Sequence, residues 1–591
     1  MAKKPYMNRK AHRKFREPSI SVWETARMYV TDQASVLGKA HSDLLLGYIR
    51  ARDWMRLSTA GGDIEPALQT AHTYAAFAQV RAFFKKNADF ADKAICLNQA
   101  KNNFELAEQM CKRTNRKLDW YSLYPGRLPM DIHEQVIKMK RIIASTCGDV
   151  AAWRESIPTR LRITSGATSS SPRRRSVPYM KIRKTYRVTP GAAPYVDALV
   201  RLHTGASPRL VMVWHNRVTT VPKDSLTDRT IGCEPEGNLP VQLTIDSYWK
   251  ENLLKVGCDL RDQTRNQRLA LQGSLDDSLA TIDLSMASDT VALNTVLFLF
   301  PEDWVQVLMS LRSPCYKGAF GYGTYQKFSS MGNGFTFALE TILFRAAVLA
   351  TGSEVCSVYG DDIICDASRY NAVIRLLRFL GFKANEKKSY RTGPFRESCG
   401  ADYHSGVAVR PFFWKGTPTN RSELAHYVNG LAGIGVPDGR LWDYLRRVSS
   451  NTRLLRVPFN ESSSSGVWVA PSAARERKLL RCRGGIDYFR GHVFTNSTSS
   501  RAGIQSYLYW HLRASARPAS NADRTIDRVS PTLWSLRKSR MTARHVLSDV
   551  VEVSVIPLEG GRDRIKDSLH WMKPVGREPV WLNSWTEFIF A

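Results

Sequence analysis

Two adjacent aspartates, Asp361 and Asp362, follow a glycine in Val358-Tyr359-Gly360-Asp361-Asp362-Ile363-Ile364-Cys365. The flanking runs are short, apolar and β-prone, which predicts two strands joined by a tight turn with both carboxylates at its tip. At ~4 Å two such charges repel by about 4 kcal/mol at an effective dielectric of 20. A turn that holds them together calls for a counter-charge. A pair of divalent metal ions is the obvious one, because two-metal sites carry phosphoryl and nucleotidyl transfer. Gly and Asp are also ordinary turn residues. The triplet alone therefore leaves a solvated hairpin turn equally open, and the rest of the chain decides.

A second acidic centre lies upstream in Leu279-Ala-Thr-Ile-Asp283-Leu-Ser-Met-Ala-Ser-Asp289. It reads as a strand ending near Asp283, then a turn into a helix. Asp283 beside the hairpin tip completes a three-carboxylate site, and Mg²⁺ takes carboxylate oxygens together with substrate phosphates. Asp289 reads either as a helix N-cap or as a contact to a ribose hydroxyl. Between the two centres, Ser329-Ser-Met-Gly-Asn333-Gly-Phe-Thr-Phe-Ala-Leu-Glu340 is a Gly-rich turn entering an apolar helix. Small residues there let backbone approach a template or nucleotide, and a helix N-terminus favours phosphate. Further upstream, Lys223 and Arg229 in Val221-Pro-Lys-Asp-Ser-Leu-Thr-Asp-Arg229 could neutralise a triphosphate. Downstream, Lys387 or Lys388 in Asn385-Glu-Lys-Lys-Ser-Tyr390 is a candidate proton donor to a leaving pyrophosphate. Phe395-Arg-Glu-Ser-Cys399-Gly400 then suggests a second hairpin, suited to gripping a primer or product strand.

The elements that position these groups follow from the wider pattern. Residues 20–150 read as largely helical, as in Ala75–Phe84, where the aromatics are expected in the core. Residues 164–178 are a Ser-, Gly- and Pro-rich basic loop containing Arg173 to Arg175. From about 206 to 415 strand-like runs alternate with helices, and after 415 the chain turns helical and basic again. The first sixteen residues, with Lys3, Lys4, Arg9, Lys10, Arg13, Lys14 and Arg16, form a basic arm.

A chain of 591 residues implies two to four subdomains, and its 43% hydrophobic content and 15 Trp allow a substantial core. The formal net charge of +31 points to a polyanionic partner, nucleic acid first. Ten scattered cysteines without Cys-x-x-Cys pairs suggest neither a zinc site nor a disulfide framework. No membrane span is expected. Residues 291–300 are too short, and Glu340 and Arg345 interrupt 334–350.

In order and spacing, the segments at 221–229, 283–289, 329–337, 358–364, 385–390 and 395–400 resemble those of right-hand RNA-dependent RNA polymerases. More closely, they are similar to the replicase catalytic subunits of small single-stranded RNA bacteriophages of the levivirus type. The resemblance implies an α+β right hand of fingers, palm and thumb. Residues 1–205 would form an N-terminal region and fingers, and 206–275 fingers with the triphosphate-binding segment. Residues 276–415 would be the palm, with a fingers insertion near 297–328, and 416–591 the thumb and C-terminal region.

By the same resemblance, Asp283, Asp361 and Asp362 would hold two Mg²⁺ ions, which Mn²⁺ can replace. Lys223, Arg229, Asp289, Ser329 and Asn333 would contact the nucleotide, and Lys387 or Lys388 would act as general acid. The implied partners are a single-stranded RNA template and product, ribonucleoside triphosphates, host elongation factors Tu and Ts and a ribosomal protein, in the cytoplasm of an infected bacterium. Two departures from the broader pattern stand out: Asp289 lies one position further from Asp283 than in many relatives, and Glu340 stands where many carry Asn. A reverse transcriptase and a non-enzymatic RNA-binding or packaging protein are the rival readings.

Overall fold

A computed structural model of the chain describes residues 21–433 apart from 165, 172–180, 182–184, 205–206 and 419–420, and beyond 433 only short pieces. The basic arm, Arg173 to Arg175 and most of the last sixty residues lie outside the described residues.

The helical expectation for the first part holds. Helices run over Val22–Ala34, Lys39–Arg50, Ala71–Lys86, Lys93–Leu123, Met130–Cys147 and Val150–Arg160. Several start on side chains that accept the first free backbone N–H groups. Thr70 does so for Ala71–Lys86, Asp92 for Lys93–Leu123 and Asp149 for Val150–Arg160. Phe77, Phe83 and Phe84 are buried, as their helical spacing predicts.

Two cores result. One joins Met139, Trp153, Trp249 and Trp304 to the Thr336–Ala350 helix and the central strands. The other joins the helices of residues 22–90 to Trp414 and to Leu424 and Val428 of the later Arg421–Gly433 helix. Asp32 fastens this second core from across the sequence, accepting the N–H groups of Arg440 and Leu441 at 2.9 and 3.1 Å.

The central sheet is antiparallel, in the order Leu279–Ile282, Asp362–Asp366, Cys356–Tyr359. Residues 384–390 run along its free edge, with Thr281 and Tyr390 exchanging backbone bonds of 3.0 and 2.8 Å. A separate sheet carries the hairpin of His215–Pro222 and Asp228–Cys233, extended by Cys315–Gly318 and Gly321–Thr324. Phe395–Ser398 pairs with Ala401–His404 as the second hairpin. After 415 the expected helical stretch is present as Arg421–Gly433 and again at the described residues 440–441, 444–445 and 448, whereas the described pieces from Arg456 onward include strand pairs such as Arg456–Pro458 with Val467–Val469. Among the described residues no helix is long and apolar enough to cross a membrane.

Candidate active site

The hairpin at 356–366 turns through Gly360 and Asp361, with Tyr359 paired to Asp362. Gly360 has φ +62°, and a side chain there would run into the Phe337 ring. Glycine meets both demands. Its N–H donates to Thr341 Oγ1 at 3.1 Å, which pins the turn to the buried Thr336–Ala350 helix. Asp361 is thus at the tip. Asp362 is the first residue of the returning strand, so only one of the two carboxylates occupies the turn itself.

The strand Leu279–Ile282 ends one residue before Asp283, which brings that acid to the same end of the sheet. Asn385 holds it twice, donating Nδ2–H to Asp283 Oδ2 at 2.8 Å and N–H to its carbonyl at 2.9 Å. Ser389 Oγ accepts the Asp283 N–H at 3.1 Å. Asp362 Oδ1 accepts the Cys399 N–H at 3.1 Å, so the turn of the second hairpin leans on the first. Arg396 fastens that hairpin from within. It is fully buried and donates to the carbonyls of Leu279, Gly393, Phe395 and Arg391 and to Asp277 at 2.6–2.9 Å.

The acids act on one another. Burial raises the pKa of Asp283; Lys388 and Asn385 oppose the shift, and Asp361 and Glu397 add to it. Asp362 is pushed up to about 6, by burial first and then by Asp361, Asp283 and Glu397, against the Cys399 N–H. Among the described residues no three acids, histidines or cysteines close around a metal ion by themselves. The donor set nevertheless fits Mg²⁺, which keeps several waters and is held by one or two carboxylates plus substrate phosphates. These are hard oxygen donors at one sheet end, carrying negative charge that the protein does not fully neutralise.

Of the candidate cations, Lys388 acts on Asp283. Lys388 pairs with Glu397 at 3.3 Å; burial acts to lower its pKa, but Glu397 and Asp283 outweigh it, so its proton is held more tightly than usual. Lys387 is exposed, with its carbonyl accepting from the Tyr390 hydroxyl. Lys223 lies in the loop of the 215–233 hairpin and Arg229 on its return strand; both are exposed. Lys85 and Lys86 close the Ala71–Lys86 helix against that loop: Ser225 N–H donates to the Lys85 carbonyl at 2.8 Å, and Lys86 Nζ to the Lys223 carbonyl at 3.5 Å. Burial lowers the Lys85 pKa; Asp224 opposes, and Lys388, Lys223 and Arg81 add to it. Two lysines in a last helical turn look like ordinary partners of the helix dipole, so nothing in the sequence marked them.

The remaining candidates are engaged within the fold. Asp289 is not a helix N-cap. It sits inside the 3₁₀ turn Ala287–Thr290, and Ala292 precedes the following helix. Its Oδ1 lies 2.7 Å from Lys327 Nζ, whose side chain is fully buried and also faces Glu108 at 3.9 Å. Ser329 is buried and accepts from Thr336 Oγ1 at 2.9 Å. Asn333 Oδ1 accepts the Phe335 N–H at 3.0 Å, which leaves its Nδ2 available. The glycines between them serve the fold: a Cβ on Gly332 would meet the Gly232 carbonyl, and one on Gly334 would meet Gln242. Glu340 is buried with Oε1 unpartnered, and burial, with Asp361 and Asp289 adding, pushes its pKa up to about 8 against a hydrogen bond from Ser288.

Residues 48–450 match the family described as RNA replicase, beta-chain. The chain belongs to that family. It is 37% identical over 426 residues to the RNA-directed RNA polymerase subunit beta of Escherichia virus Qbeta, covering 69% of this chain and 71% of that protein. It is 33% identical over 478 residues to the corresponding subunit of Enterobacteria phage SP, covering 77% and 81%. With the RNA-directed RNA polymerase beta chain of Escherichia phage MS2 it shares 38% over 355 residues, covering 56% and 64%. Among solved structures, an RNA-dependent RNA polymerase of BmCPV in its elongation state aligns over 71% of this chain and 40% of that one, at TM-score 0.35 and 11% identity. This replicase beta chain is therefore an RNA-directed RNA polymerase of the levivirus phage type, which sets aside both rival readings.

Proposed function

We propose that the enzyme extends an RNA strand along a single-stranded RNA template, with Asp283, Asp361 and Asp362 holding two Mg²⁺ ions at the end of the central sheet. The carrying observation is that acids from two separate segments meet there and raise one another's pKa, which is the electrostatics of a cation site. When bound, the ions supply positive charge that acidifies a 3′ hydroxyl and offsets charge on phosphate.

The chain's own residues do the rest. Lys223 and Arg229, unpaired among the described residues, face the triphosphate; Lys85 and Lys86 reinforce them. Lys388 rather than Lys387 gives a proton to the leaving pyrophosphate, because it is the lysine that faces Asp283. Asp289, steadied by Lys327, and Asn333 through its free amide contact the ribose, with Ser329 supporting the loop. Base pairing with the template selects the nucleotide. Similarity to the phage enzymes supports recruitment of host elongation factors Tu and Ts and a ribosomal protein, and work in the bacterial cytoplasm.

The test is extension of a single-stranded phage RNA with ribo- and deoxyribonucleotides in parallel, with and without bacterial lysate. Ribonucleotide incorporation that chelation abolishes and Mg²⁺ restores is expected. Incorporation that withstands exhaustive chelation would overturn the metal assignment.

A further inference from the structure

A second groove carries charge that polymerisation at the acids does not use. It runs between the Lys93–Leu123 helix and the Tyr370–Phe379 helix with residues 381–386, and its volume is about 710 Å³. None of Asp283, Asp361 or Asp362 lines it. Arg113, Lys117, Arg378 and Lys383 do, against one acid, Glu386.

Arg113, Arg378 and Lys383 are exposed and have no ion-pair partner among the described residues, whereas Arg375 on the same helix as Arg378 is paired with Asp131 at 2.9 Å. Lys117 is fixed at the floor by donating to the Phe379 carbonyl, with its Nζ 5.0 Å from the Phe379 ring centroid. Four cations around one acid repel one another and favour a polyanionic occupant. They come from three segments, and Arg113 and Lys117 are one helical turn apart, about 6 Å along the axis. Such a spread suits negative charges strung along a line better than a single phosphate.

We propose that this groove binds the sugar-phosphate backbone of an RNA strand outside the carboxylate site. The walls are bonded to segments beside the acids. Glu108 on the long helix faces Lys327 beside Asp289, and the Lys383 carbonyl accepts the Ser285 N–H at 2.8 Å. RNA seated in the groove would touch a segment bonded two residues from Asp283.

The experiment is a salt titration of RNA binding by the full-length chain carrying Arg113→Gln and Arg378→Gln, both exposed positions. The probes are a long single-stranded RNA and a short oligonucleotide that fills only the catalytic cleft, with ATP as a separate ligand. For the long RNA, losing two phosphate contacts should flatten the slope of log affinity against log salt by about 1.4 and weaken binding on the order of tenfold at low salt. Binding of the short RNA and of ATP should be unchanged. An unchanged slope for the long RNA, or equal weakening of both RNAs, overturns the proposal, as does loss of ATP binding while long-RNA binding persists. Photocrosslinking of thiouridine-substituted long RNA to the unsubstituted chain reads the same site without any variant. Crosslinks within 110–117 or 370–386 support it, and their absence from both segments overturns it.

Discussion

Two charge clusters lie close together in this enzyme and are built on opposite plans. At Asp289, the fully buried Lys327 neutralises the carboxylate at 2.7 Å and faces Glu108 from the long helix at 3.9 Å. Phe104 and Tyr325 place their rings about the same ammonium, at 4.8 and 5.1 Å. That cluster carries its own counter-charge and holds together as part of the fold. At Asp283, Asp361 and Asp362 the nearest cation, Lys388, is shared with Glu397, and two of the three acids have raised pKa values. There the fold tolerates repulsion that a bound ion would relieve. Asp289 sits only six residues from Asp283, so sequence proximity does not separate the plans; the presence of an internal lysine does.

The sharpest way to break this contrast is Asp361→Asn. It should leave folding and RNA binding intact while synthesis falls by orders of magnitude, as measured by nucleotide incorporation in Mg²⁺. Wild-type rates would place the acid outside the site. Lys327→Met should do the reverse and attack the fold, because it strands Asp289 and Glu108, both partly buried, without their shared counter-charge. Losing one partner of a fully buried pair costs about 3–5 kcal/mol; the partial exposure of these carboxylates brings the expected loss below that range, and denaturant titration checks it. A Lys327→Met chain as stable as the parent would mean the cluster is not held by its lysine.

Smaller effects sharpen the comparison. Lys223→Ala should raise the KM for nucleotides several-fold with little change in stability, and an unchanged KM and rate would remove it from the triphosphate site. Added Mg²⁺ should raise the Tm of the wild type more at neutral pH than at pH 5, and less in Asp283→Asn. Asp362 explains the sign: its folded pKa of about 6 exceeds the unfolded value, so its contribution to stability is complete below about 4 and lost as pH rises through 6. The ion has most to relieve once the group is ionised.

A further pH-dependent effect is expected at Glu340. Its folded pKa of about 8 is also raised, so the wild type loses stability progressively from about pH 4.5 to 8. Glu340→Gln cannot ionise and should gain on the wild type across that window and no further above it, by a few degrees in Tm. A constant difference at all pH values would show that the carboxyl does not titrate there.

Much of the site was legible. The alternation around Gly360 predicted the hairpin, and the apolar run before Asp283 predicted a strand ending at that acid, because period and turn chemistry are local properties. The helix beginning at Thr336 was equally plain. Other parts depended on contacts that sequence distance conceals. Asn385 holds Asp283 from across 102 positions, and the Cys399 backbone N–H reaches Asp362 through a turn whose side chains gave no sign of it. The glycines at 332 and 334 were expected to admit a template or nucleotide, but they admit Gly232 and Gln242. A missing side chain in the sequence does not say what fills the space.

By itself the sequence determined the chemical class of the protein. Three acids in ordered motifs, a Gly-rich loop, basic segments and a charge of +31 point to phosphoryl-type chemistry on a polyanion, because residue type and local period are written in the chain, and the order of the motifs carries the resemblance to RNA polymerases. Only the tertiary structure decided which charges are free. Helix ends, sheet edges and hairpin turns far apart in sequence bring Lys327 to Asp289, turn Lys388 rather than Lys387 toward Asp283, and leave Arg113 and Arg378 across a groove without an ion-pair partner among the described residues. Coulomb energy depends on distance and burial, and only the folded chain sets those two quantities.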